Sequence, residues 1–261
     1  MTALILDCDG VLAETERDGH RVAFNRAFRL HGLPLHWDEA TYGRLLQIGG
    51  GKERLRVGLG RAPETAGLTK GDLEEIIAAV HSDKTQIFVE MASAGDLPAR
   101  PGVRRVVTQA LDADWKVVVA STSAEESVRG VLASAVGADV AASLDGVFAG
   151  DIVKHKKPSP EIYERVMRDM HISGGEGVVI EDSGIGAQAA AAAGLGHLVT
   201  LSYYTRDDDF PFAAAVMTSL GDARSPATCV TAIVEPRPGS IVDLDDLERC
   251  ARAVPPREAR D

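Results

Sequence analysis

The hydrophobic pattern changes period along the chain. Leu4-Ile5-Leu6 is a short apolar run of strand character that delivers the chain onto Asp7-Cys8-Asp9-Gly10-Val11-Leu12. Beyond Thr15 the apolar residues Ala23, Phe24, Ala27, Phe28 and Leu30 recur at spacings of three and four, which predicts a helix closed by Gly32 and Pro34. A second helical stretch around Tyr42, Leu45 and Leu46 runs into Gly49-Gly50-Gly51-Lys52-Glu53-Arg54, where free amides stand beside an ammonium. The most periodic helix carries Leu73, Ile76, Ile77, Val80, Lys84, Ile87, Phe88 and Met91 along one side. No convincing strand falls between these helices, so the stretch reads as a helical insertion.

After Pro98 and Pro101-Gly102, which read as a hinge, strand and helix alternate again. Lys116 to Ala120, Gly146 to Phe148, Gly177 to Ile180 and His197 to Leu201 are the candidate strands. Ser159 is a good N-cap with Pro160 at the first helical position, and Ile162, Val166 and Met170 follow at spacings of four. Alternation of this kind predicts an α/β fold, a doubly wound parallel sheet of at least five strands, with a helical cap inserted after the first. The expected division is a discontinuous core over 1–16 and 97–261 and a cap over 17–96, seated over the carboxyl edge of the sheet. Beyond Asp222, Thr228 to Val234 reads as an edge strand and Ile241 to Ala251 as a short acidic helix; Pro255 to Glu258 reads as frayed.

Composition narrows the classes. The chain of 261 residues is 45% hydrophobic and has net charge −11, so neither a nucleic acid nor an anionic membrane is the expected partner. Cys8, Cys229 and Cys250 are too few and too scattered for a disulfide framework or a zinc site, which points to a reducing compartment. No signal peptide precedes the first strand, and no apolar run is long enough to span a bilayer. The expectation is a soluble monomer, cytoplasmic, or in the plastid stroma if a transit peptide has been removed.

Four segments that end strands together supply what a phosphoryl-transfer site needs. Asp7 is a candidate nucleophile, able to form an aspartyl phosphate, and Asp9 a candidate acid and base for the leaving alcohol and the attacking water. Ser121 and the Thr122 amide offer hydrogen bonds to phosphoryl oxygens. Lys157, before a helix, offers a fixed positive charge, and the Lys154-His155-Lys156-Lys157 cluster attracts anions although only Lys157 is expected in contact. Glu181 and Asp182 add carboxylates for a magnesium ion shared with Asp7 and Asp9. Taken singly, Ser121 is more often an N-cap, Lys157 a solvated residue and Glu181-Asp182 a turn. A calcium loop is disfavoured because Val11 and Leu12 follow Gly10.

In this order the motifs resemble those of the haloacid dehalogenase superfamily: Asp7-Cys8-Asp9-Gly10-Val11-Leu12 with Thr15, Ser121 after Val117-Val118-Val119, Lys157-Pro158, and Glu181-Asp182-Ser183 with Gly186. The second aspartate favours the phosphotransferase side, since the dehalogenases lack it. Glu16, Asp18-Gly19-His20-Arg21, Trp37-Asp38, Tyr42-Gly43, Gly49 to Arg54 and Lys84-Thr85 look like the CbbY type of plants and photosynthetic bacteria. That resemblance implies Mg2+-dependent hydrolysis of xylulose 1,5-bisphosphate, a Rubisco inhibitor, with Thr15, Glu16, His20, Gly51, Lys52 and Arg54 holding the sugar and its second phosphate. From the residues alone His20 is equally a packing histidine, the glycine run a loop with one exposed lysine, and Lys84 a solvated residue. The competing readings are a sugar phosphomutase of the β-phosphoglucomutase type and a phospho-ligand sensor without turnover. The sensor would be favoured by loss of an acid at position 7 or 9, and both acids are present.

Overall fold

The computed structural model describes residues 2–48, 50–60 and 69–255. Gly49 of the glycine run and Pro256 to Glu258 of the tail lie outside the described residues. Two compact units emerge, one from Met1–Glu14 with Leu97–Asp261 and the other from Thr15–Asp96. Thr15 and Glu16 thus belong to the second unit, two residues earlier than the sequence pattern suggests.

The first unit is built on a sheet of seven strands in the order β3-β2-β1-β4-β5-β6-β7. The strands are β1 (Ala3–Leu6), β2 (Lys116–Ala120), β3 (Gly146–Phe148), β4 (Gly177–Glu181), β5 (Gly196–Thr200), β6 (Ala215–Met217) and β7 (Cys229–Ala232). All pair in parallel except β7, which closes the edge antiparallel to β6. β1 lies between β2 and β4, and every residue of β1, β4 and β5 is buried, so these strands read as continuous apolar runs rather than alternations. One face packs Ile5, Val118 and Val179 against Ile162, Tyr163 and Val166 of α8 (Glu161–Met170) and against Ala189 and Ala190 of α9 (Gly184–Ala192). The helices α5 (Val103–Asp112) and α10 (Leu244–Arg252) touch each other and cover the other face over β2, β4 and β5. α6 (Glu125–Val136) and the short α7 (Ala138–Ala142) link β2 to β3. α8 starts one residue later than its pattern suggests, with Ser159 Oγ accepting from the Glu161 amide at 3.4 Å.

The second unit is helical: a π-helical turn over Thr15–His20, then α1 (Arg21–Leu30), α2 (Glu39–Leu45), α3 (Gly51–Gly60) and α4 (Lys70–Ser93). Phe24, Phe28, Trp37 and Tyr42 form an aromatic core, with Phe28 edge-on to Trp37 at 4.8 Å between centroids. The side chain of Asn25 crosses this core, donating to the Trp37 carbonyl and accepting from the Trp37 amide at 2.8 Å each. α4 opens with a reciprocal capping box between Thr69 and Asp72, and buries Ile77, Val80, Lys84, Phe88 and Met91. Lys84 is therefore not the solvated residue expected of it; only 8% of it is exposed.

Candidate active site

Parallel strands all present their carboxyl ends at one edge, and adjacent strands carry the candidate residues there. β1 ends on Asp7, β2 on Ser121 and β4 on Glu181 and Asp182. Lys157 arrives from the loop between β3 and α8. Its Nζ donates to Asp7 Oδ1 at 2.6 Å, to Glu181 Oε1 at 2.7 Å and to the Ala120 carbonyl at 3.1 Å, joining all three strand ends. The Tyr163 hydroxyl donates to the same Glu181 oxygen, and its ring lies 4.9 Å below the ammonium.

Asp7, Glu181 and Asp182 bring carboxylate oxygens within 4.8 Å of one another, all buried. Two glycines allow this crowding. A Cβ on Gly10, at φ +79°, would lie 2.0 Å from Asp182 Oδ2, and one on Gly186 would lie 2.1 Å from the Glu181 carboxyl carbon. Ser183 caps α9 by accepting from the Gly186 amide at 3.1 Å, which sets Gly186 against Glu181. Asp9 is not in the cluster: its carboxylate accepts from Ser123 Oγ at 2.5 Å, and the Ser123 amide donates to Ser121 Oγ at 3.1 Å. Ser121 is buried and Thr122 half-buried beside it.

The electrostatics follow from three clustered, buried carboxylates, two of them paired with the Lys157 ammonium. Burial, with Glu181 and Asp9 adding to it against Lys157, pushes the Asp7 carboxyl up to about 7. Burial together with Glu181 and Asp7 holds Asp182 well above the usual carboxylate range, opposed by a Ser202 hydrogen bond and the charge of Arg100. For Lys157 burial acts downward, but the Asp7 and Glu181 carboxylates outweigh it and keep the ammonium charged. Oxygen-only donors with surplus negative charge suit a hard divalent cation, so Asp7, Glu181 and Asp182 fit a magnesium ion. Of the basic cluster, Lys154 is exposed, His155 pairs with Glu161 and Lys156 with Asp151 at 3.1 Å, while Lys157 reaches Asp7 and Glu181.

The second unit gathers its own polar group. Glu16 Oε2 accepts from the Tyr42 hydroxyl at 2.7 Å, while Arg54 Nη1 lies 3.2 Å from that hydroxyl and 3.6 Å from Glu16 Oε1. Buried Thr15 precedes Glu16 in the π-helical turn. His20 stacks on Phe88 at 3.9 Å, and its Nδ1 lies 2.9 Å from Lys84 Nζ. Gly51 and Lys52 open α3 instead of lying in a loop. Lys52 is exposed, and burial with the charges of Lys84 and Lys52 lowers the neighbouring His81 to about 4. Tyr42, His81, Lys84, Ser123 and Tyr163 were not among the residues singled out as sites. For Lys84 the signal is its place in the apolar register of α4; the contacts of the others depend on the fold.

Residues 1–194 match haloacid dehalogenase-like hydrolases. The chain belongs to this family. It is 44% identical over 223 residues to a CBBY-like protein of Arabidopsis thaliana, covering 85% of this chain and 70% of that protein. It is 39% identical to the plasmid-encoded CbbY of Cupriavidus necator, covering 87% and 88% of the two chains. Among solved structures, a mutant CbbY of Rhodobacter sphaeroides in complex with xylulose-(1,5)bisphosphate superposes with a TM-score of 0.73 at 34% identity, over 84% of this chain and 94% of that one. As a haloacid dehalogenase-like hydrolase with these relatives, the chain is a phosphatase, a hydrolase of phosphoric monoesters. None of its described helices is long and apolar enough to cross a membrane.

Proposed function

We propose that this phosphatase hydrolyses a sugar bisphosphate, xylulose 1,5-bisphosphate, to xylulose 5-phosphate through an aspartyl phosphate on Asp7. The observation that carries the reading is Lys157, whose ammonium binds Asp7 and Glu181 at once and so holds the nucleophile against the acidic cluster. The Asp7 carboxylate attacks phosphorus as the bond from phosphorus to the sugar oxygen breaks. Asp9, held by Ser123, gives its proton to that oxygen and then takes one from the water that releases phosphate and restores Asp7. Ser121 and the Thr122 amide hold phosphoryl oxygens, while Lys157 offsets charge as it builds. Asp7, Glu181 and Asp182 would hold Mg2+, which when bound draws charge from the phosphoryl group and relieves the crowding of the carboxylates.

Glu16, His20, Gly51, Lys52, Arg54 and Thr15 bind the sugar and its second phosphate in this reading. Lys84 adds a cation beside His20. Supporting it are the CbbY relatives and the xylulose bisphosphate complex of the Rhodobacter sphaeroides protein. The test is a phosphate-release panel with Mg2+ over xylulose and ribulose 1,5-bisphosphates, fructose bisphosphate and monophosphates. The expected result is one equivalent of phosphate per xylulose bisphosphate consumed, with monophosphates at least roughly tenfold poorer in kcat/KM, as loss of a charged contact predicts. Equal turnover of monophosphates would remove the role of the second phosphate. Isomer interconversion without phosphate release would favour the phosphomutase instead.

A further inference from the structure

A buried cation outside the phosphoryl site touches the loop that carries both aspartates. Arg100 lies just after the chain re-enters the first unit, is 8% exposed, and spends its fork on main-chain carbonyls. Nη1 donates to the carbonyls of Gly10 and, at 3.1 Å, Thr200; Nη2 donates to those of Leu201 at 2.5 Å and Thr218 at 2.8 Å. Its Nε stands 3.8 Å from Glu14 Oε1, while Glu14 Oε2 accepts from the Tyr203 amide at 3.2 Å. The Arg100 amide also donates to the Leu12 carbonyl at 2.9 Å, next to a bridge between Ala13 and Ala99. One planar group thus ties the loop after β1 to the ends of β5 and β6.

Burying a guanidinium costs several kcal/mol in desolvation, so its fork must be well used. Among its carbonyl partners, Gly10 adjoins the chemistry. The Gly10 backbone follows Asp9 and abuts the Asp182 carboxylate so closely that no side chain fits between them. Displacement of the Gly10 backbone would carry the adjoining Asp9 with it and open the gap at Asp182. We propose that Arg100 is a positioning residue: by fixing the Gly10 carbonyl it sets where the Asp9 carboxyl stands relative to Asp7 and Asp182. The inference rests on Asp7 and Asp9 acting as described under the proposed function.

The test compares Arg100→Lys with Arg105→Lys. Arg105 is a matched control, because it also bridges carbonyls, Leu220 at 3.0 Å and Gly221 at 2.8 Å, without reaching the nucleophile loop. Steady-state kinetics with Mg2+ are read on xylulose 1,5-bisphosphate and on p-nitrophenyl phosphate, which does not depend on the sugar assignment. Arg100→Lys is expected to lower kcat roughly 10- to 100-fold on both, as a displacement of order 1 Å does. Its KM should stay within about threefold, and Arg105→Lys should stay within about twofold in both constants. Wild-type kcat in a folded Arg100→Lys, or equal losses in the two variants, would overturn the proposal. If Arg100→Lys does not fold, Glu14→Gln decides: it keeps the guanidinium among its carbonyls but removes its carboxylate partner, and kcat should fall roughly two- to fivefold at unchanged KM. Wild-type kcat there overturns the proposal. Turnover surviving in Asp7→Asn would overturn this inference and the Asp7 reading together, whereas an inert Asp7→Asn beside a wild-type-like Arg100→Lys overturns this inference alone.

Discussion

At the scale of single residues, Asp7 links chemistry to stability. Its carboxyl titrates near 7 in the folded chain against 3.8 in the reference state, because burial and the neighbouring carboxylates Glu181 and Asp9 outweigh Lys157. Between those values the native state keeps a proton that the unfolded chain has lost. The contribution of Asp7 to metal-free stability therefore falls as pH rises from about 4 to about 7 and levels off above. A cation bound by these carboxylates competes with that proton. The rise in Tm produced by Mg2+ should thus be larger at pH 8 than at pH 5.5, read by calorimetry with and without the ion. Equal shifts at the two pH values would contradict a metal held on Asp7 and Asp182. Asp7, Ser121, Lys157, Glu181 and Asp182 were legible in the sequence because each is the first polar group after an apolar run or the charge beside a proline. Arg100 and Tyr163 were not, because their partners are carbonyls and carboxylates far away in the chain.

Among the elements, the turn from β4 into α9 shows how closely backbone and carboxylates are fitted. Gly186→Ala would place a methyl group against the Glu181 carboxyl carbon. Overpacking of this kind costs about 1–3 kcal/mol, so urea unfolding should show a loss of that size together with weaker Mg2+ activation. Unchanged stability and unchanged Mg2+ dependence would mean that Glu181 has room to move. The buried strands could be read from their uninterrupted apolar runs, such as Val117 to Ala120. β6 could not, since the alanine run Ala213-Ala214-Ala215 that leads into it favours a helix. α3 was hidden by glycines at both ends, Gly51 and Gly60, which weaken helix propensity although Leu55 and Leu59 are buried at helical spacing. Lys84 is the opposite case: its charge argues for solvent and its position lies in the apolar register of α4, and the structure buries the ammonium beside His20 and about 5 Å from the Phe24 and Phe88 rings.

For the whole molecule, the first unit carries an acidic cluster at the strand ends of its sheet, and the second is a helical unit built on an aromatic core. A net charge of −11 and a phosphate-ester substrate are compatible because Lys157 places positive charge locally among the strand ends of the first unit. Alternating strand and helix patterns were enough to anticipate a parallel α/β sheet, and the motif order was enough to anticipate the family. The identity of the sugar lies in a few contacts worth roughly 1 to 3 kcal/mol each, which no periodicity reveals. The proposed chemistry turns on Asp7 as the phosphoryl acceptor. Its most direct measurement is a rapid acid quench of the enzyme mixed with Mg2+ and xylulose 1,5-bisphosphate labelled in the 1-phosphate, followed by peptide mapping. The label is expected on the peptide bearing Asp7 within the first turnover and absent in Asp7→Asn. Label on another residue, or phosphate released at full rate with none on Asp7, would contradict it.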